Sequence, residues 1–127
     1  MKTIHFQPDG EEIIAEVRSG FANPGSYILR LWERDSNAKA MEDIPGNFIN
    51  ADDDAHPLPS PVADNDGRIV ESFVVLSPPP GSKQYFASLR IKQGHRLLDE
   101  ISVTGESDQP SSVSIDLFAK LAAEKDS

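Results

Sequence analysis

The chain has 127 residues, 38% hydrophobic and 26% charged, a size and balance that fit one folded domain and exclude a disordered polymer. Its net charge of −9 argues against nucleic acid as a partner, because phosphate backbones need clustered Lys and Arg. The absence of cysteine removes disulfides, thiolate metal sites and thiol nucleophiles together.

The opening residues, Met1 to Gly10, lack the apolar core of a signal peptide, and no apolar run approaches the roughly 18 residues of a membrane span. A cytoplasmic protein without membrane contact is therefore expected. Thr3 to Gln7 and Glu12 to Arg18 alternate apolar and polar residues around Pro8-Asp9-Gly10, which predicts a first hairpin. After the turn Asn23-Pro24-Gly25, Ser26 to Arg34 predicts a strand. Its core face carries Tyr27, Leu29 and Leu31, and its other face Ile28, Arg30, Trp32 and Arg34. Asp35 to Met41 reads as a loop or a single helical turn.

From Glu42 to Gly67 the alternation dissolves. Pro45, Pro57, Pro59 and Pro61 limit any regular element to a few residues, and Asn47 to Asn50 is the one strand candidate. Glu42, Asp43, Asp52, Asp53, Asp54, Asp64 and Asp66 lie here with no Lys or Arg, so most of the net charge belongs to this segment. A long irregular acidic loop inside a small domain is where function is expected.

Ile69 to Leu76 and Tyr85 to Ile91 flank Pro78-Pro79-Pro80-Gly81 and predict a central hairpin. With Leu76 opposite Tyr85, Val74 falls opposite Ala87, Ser72 opposite Leu89 and Val70 opposite Ile91. This register keeps Glu71 off the core face and pairs it with Arg90. Val70, Val74, Leu76, Leu89 and Ile91 then form the core, while Ile69, Phe73, Val75 and Phe86 share a second face that needs its own cover. Gln93-Gly94-His95 is a turn into a strand over Arg96 to Thr104, with Leu97, Ile101 and Val103 inward and Asp99 at its end or at a bulge. Ser112 to Phe118 predicts a last strand, and the composition of Lys120 to Lys125 predicts a short helical or frayed tail.

About seven or eight short strands, with turns about every ten residues, predict an all-β, single-domain antiparallel sandwich of immunoglobulin-like or jelly-roll-like topology. Beyond the turn at Asp35 to Met41, a short C-terminal helix is the alternative to a frayed tail.

Asp52-Asp53-Asp54 and Asp64-Asn65-Asp66-Gly67 offer the hard oxygen donors that Ca²⁺ takes. The EF-hand spacing fails, because Gly67 at the sixth position puts Val62 at the first and Phe73 at the twelfth. A solvated acidic loop is the preferred reading, and neither a metal nor a cofactor is expected. His5, His56 and His95 never stand at ligand spacing, and there is no Gly-x-Ser-x-Gly elbow. Trp32 reads first as a core residue. With Arg30, Phe73 and Phe86 it is alternatively a recognition surface, since Trp and Arg are favoured interface anchors. The functional expectation is a non-catalytic interaction module for a protein partner or a second copy meeting it through a sheet face. Its contacts are Arg30, Trp32, Phe73, Phe86, Asp52, Asp53, Asp54, Asp64 and Asp66. A carbohydrate- or Ca²⁺-binding module using loops at one end is the alternative, and an enzyme ranks third.

Overall fold

Period-two alternation produces nine strands in the computed structural model, which describes residues 1–20, 23–48, 54–77, 84–106 and 112–125. They are β1 (Lys2–Phe6), β2 (Ile13–Ser19), β3 (Gly25–Trp32), β4 (Ile44–Asn47), β5 (Ala55–Pro57), β6 (Ile69–Leu76), β7 (Gln84–Gln93), β8 (Arg96–Glu106) and β9 (Val113–Ala123). A five-stranded sheet in the order β1-β9-β6-β3-β4 faces a four-stranded sheet in the order β5-β2-β7-β8. Among the described residues all strand pairings are antiparallel except β1 with β9. The protein is an all-β sandwich.

The core lies between the inner faces of the two sheets. Tyr27, Leu29 and Leu31 of β3, Val70, Val74 and Leu76 of β6, and Leu117, Ala119 and Leu121 of β9 come from one sheet. Ile13, Ala15 and Val17 of β2, with Ala87, Leu89 and Ile91 of β7, come from the other. Each such Leu, Ile or Val contributes about 1.5–3 kcal/mol by leaving water. The expected inward face of β6 and β7 is therefore correct.

The expected pairing of β6 with β7 is not. The two strands lie in opposite sheets: β6 pairs with β3 and β9, and β7 with β2 and β8. Val70 and Val74 belong to one wall of the core, and Leu89 and Ile91 to the other. The connection β2→β3 crosses between the sheets as β6→β7 does, and β3–β6 and β2–β7 are each neighbours. The cross-strand partner of Glu71 is Arg30, not Arg90, which instead lies between Glu16 at 3.6 Å and Glu100 at 3.3 Å. The first hairpin fails for the same reason. β1 runs parallel to β9 while β2 joins the other sheet, so Pro8-Asp9-Gly10 belongs to a crossing rather than to a ladder turn.

The tight hairpin is β7–β8. Gly94 and His95 form its loop, and Gly94 takes the positive φ of 60° that a two-residue primed turn needs. Asp99 pairs with Ile91 at the point where the register shifts, as expected of a bulge, and its half-exposed carboxylate accepts a hydrogen bond from Lys2 Nζ at 2.8 Å. Leu97, expected inward, lies opposite the outward-facing Lys92 because the register shift changes its face, and is 43% exposed. Val103, opposite buried Ala87, is 37% exposed because β8 is an outer strand that the opposite sheet only partly covers.

The expected C-terminal helix is absent among the described residues. β9 continues to Ala123, since β1 and β6 supply ladder partners on both sides and Ala119 and Leu121 fill the core. In the acidic segment, β4 and β5 are short edge strands holding Pro45 and Pro57, where a missing N–H breaks no ladder bond. No helix among the described residues is long and apolar enough to cross a membrane.

Candidate functional site

Alternation places every second residue of β3, β6 and β9 on the outer face of the five-stranded sheet. One row holds Ile28, Phe73 and Asp116, the next Arg30, Glu71 and Phe118, and the next Trp32, Ile69 and Lys120. Three aromatic rings thus surround a charged centre. Trp32 Nε1 donates to Glu71 Oε1 at 3.0 Å, and Arg30 Nη1 lies 3.8 Å from the same oxygen. Arg30 Nε also reaches Asp43 Oδ2 at 3.2 Å. Lys39 Nζ sits 6.0 Å from the Trp32 ring centre and 3.0 Å from Asp43. Trp32 is therefore half-buried outside the core, not within it. Phe118 is 41% exposed.

Asp116 stands beside Glu71. Its carboxyl is pushed up to about 6 by partial desolvation on this aromatic face, then by a hydrogen bond to Glu71 and the Glu71 charge, against a weaker pull from Arg30. The folded state thus holds the Asp116 proton more tightly than the unfolded chain does. That contribution is complete below the ordinary 3.8 and is lost as pH rises through about 6. Asp116→Asn is expected to stabilise the protein at pH 7 by about 1 kcal/mol after solvent screening, and to change little at about pH 4. Thermal unfolding of both proteins at the two pH values checks this; an equal shift at both would contradict it. Two other carboxyls move the opposite way. Asp43 is held below its usual value chiefly by the Lys39 hydrogen bond, and Asp99 by that of Lys2.

A second feature lies at the end of β2. Val17, Arg18, Ser19, Phe48, Asp54 and Phe86 line a cavity of about 250 Å³. Behind it, Tyr27 reaches from β3 to β5. Its hydroxyl donates to Asp54 Oδ1 at 2.7 Å and lies 2.6 Å from His56 Nε2. A phenol has one proton, so with Asp54 ionised His56 Nε2 is the donor to Tyr27. The backbone makes room for this arrangement. Gly46 lies opposite Tyr27, and a Cβ there would fall 2.2 Å from Tyr27 Cζ. Phe86 is placed by Asn23, which accepts from the Phe86 N–H at 3.2 Å and donates to Gln84 O at 3.2 Å.

The residues expected to form one surface thus separate into three groups. Arg30, Trp32 and Phe73 meet on the outer face, whereas Phe86 and Asp54 meet at the cavity. Asp64 and Asp66 lie at the other end of the sandwich, before β6. Asp66 has a structural part, accepting from the Ala123 N–H at 2.9 Å, with Arg34 at 3.9 Å. Asp52 and Asp53 fall outside the described residues. No group of three or more His, Asp or Glu side chains suited to a metal occurs among the described residues. Sequence reasoning missed Asp116 and Phe118, although the alternation of β9 marks both as outward-facing. It also missed the tie of Tyr27 to Asp54 and His56, which no sequence spacing announces. Comparison with protein-family models, with curated proteins and with solved structures gives no match.

Proposed function

We propose that this protein is a non-catalytic interaction module whose outer β3–β6–β9 face binds a basic segment of a protein partner. The observation that carries this reading is the pair of adjacent carboxyls, Glu71 and Asp116, set among Trp32, Phe73 and Phe118. A partner guanidinium seated there would neutralise the pair, donate its N–H groups to both carboxylates, and stack on the rings. A net charge of −9 would speed the encounter with a basic surface. Two-sheet sandwiches of the immunoglobulin-like and jelly-roll kinds lend themselves to such use, although architecture alone does not determine function.

Binding of an arginine-rich peptide at low and high salt tests the reading. Affinity is expected to fall roughly tenfold or more as added salt screens the face. A salt-independent affinity would count against it. The same samples melted with Ca²⁺, with EDTA and with a glycan panel distinguish the carbohydrate or Ca²⁺ reading, because a bound ion or sugar raises the melting temperature by linkage.

A further inference from the structure

We infer that the cavity at the end of β2 is a binding site for a primary alkylammonium group, held by the Asp54 carboxylate between the rings of Phe48 and Phe86. The inference stands apart from the outer-face reading, since none of its residues lies on that face.

The argument begins with Asp54. This side chain belongs to a residue only 4% exposed, yet it lines a cavity rather than packed core. Its Oδ1 accepts a hydrogen bond from the Tyr27 hydroxyl at 2.7 Å, and among the described residues no hydrogen bond reaches its Oδ2. A buried carboxylate with one oxygen unfilled favours a ligand that brings N–H donors and a positive charge. The Tyr27 bond, itself supported by His56, fixes the carboxylate's orientation.

The walls point to the rest of the ligand. Phe48 and Phe86 present apolar rings that suit methylene groups and attract a nearby cation. The guanidinium of Arg18, also at the cavity, makes its ion pair with Glu16, Nε to Oε1 at 3.0 Å, rather than with Asp54. About 250 Å³ lies below the usual range for drug-sized sites and fits a compact amine. A free amine and the side chain of a partner's lysine share this chemistry.

Titration with n-butylamine, followed by the NMR shifts of the Ser19 and Phe86 amides, tests the site. Saturable shifts are expected in the millimolar range, with none from n-butanol, which lacks the charge. Asp54→Asn keeps an acceptor for Tyr27 but removes the charge, and is expected to weaken binding about tenfold or more. Phe86→Leu, which leaves the carboxylate intact, is expected to weaken it several-fold, and Glu100→Gln, an exposed carboxylate away from the cavity, not at all. A lysine amide with its α-amine acetylated distinguishes the sources. Binding equal to that of butylamine assigns the site to a lysine side chain, and much weaker binding assigns it to a free amine. Binding of butylamine by Asp54→Asn as tight as by the native protein, or no shifts in the native protein, overturns the inference. Shifts confined to the Trp32 indole would place amine binding on the outer face and overturn it equally, while leaving the outer-face reading in place.

Discussion

Val74→Asp is expected to unfold the protein, whereas Val75→Asp leaves it folded. The two positions are neighbours in β6, and Val74 is fully buried while Val75 faces outward and is half-buried. Across the strands Val74 lies between Tyr27 and Ile115, both core residues. A carboxyl placed there has no partner and must remain protonated. Holding it neutral at pH 7 means raising its pKa by about 3–5 units, roughly 4–7 kcal/mol, before the lost valine packing is counted. Small domains have about 5–15 kcal/mol in total. At Val75 the new carboxylate reaches water, between Ser26 and Ser114. Far-ultraviolet circular dichroism and thermal unfolding of the two variants check the contrast. Equal tolerance would place β6 in the wrong register.

Tyr27→Phe is expected to destabilise by about 2–4 kcal/mol although it removes one oxygen atom. That oxygen gives Asp54 its hydrogen bond and accepts from His56. Without it a carboxylate remains buried with no donor from the core, which costs more than the bond itself contributed. For a chain of this length the melting temperature should fall by about 8–15 °C. Gly46→Ala should act on the same network from the other side, because its Cβ would overlap the Tyr27 ring. The pair is coupled, so the double variant should be less destabilised than the sum of its parts. Thermal unfolding of the two single variants and the double variant supplies the measurement. Strict additivity would indicate that Tyr27 and Gly46 act separately.

These examples show what the chain disclosed of itself. Which side chains face inward was legible, because alternation in β3, β6 and β7 depends only on local pleat and on where apolar residues fall. Tyr27, Val74 and Leu89 were placed in the core on that basis, and they are there. Which strand lies beside which was not legible. The same alternation suits a ladder neighbour and a residue across the core, so Val74 and Ala87 could be read as cross-strand partners when they belong to opposite walls. Connection length held the missing clue. The link from Leu76 to Gln84 is far longer than the two residues of Gly94-His95, and long enough to pass from one sheet to the other.

The C-terminal end failed for a different reason. Lys120 to Lys125 favour a helix by composition, but β1, from the opposite end of the chain, supplies a parallel partner that local propensity cannot register. The candidate site was legible in part. Arg30, Trp32 and Phe73 do share a face, whereas Asp116 and Phe118 joined them only once β9 was known to lie beside β6. Alternation puts Phe86 on that face only if β7 pairs with β6. Its place in the other sheet puts it beside Asp54 at the cavity.

Trp32 is the chain's one tryptophan and lies against Glu71, so its fluorescence reports on the proposed face without any label. The most direct measurement is therefore a titration with an arginine-rich peptide, followed by Trp32 emission at about pH 7 and about pH 5. Arginine keeps its charge over this range, so any pH effect belongs to the protein. The predicted result is a saturable change in emission at pH 7, with affinity falling several-fold as Asp116 takes up its proton near 6, and no such pH dependence in Asp116→Asn. Peptide binding that leaves Trp32 emission unchanged, or an affinity equal at both pH values in the native protein, would contradict the assignment of this face.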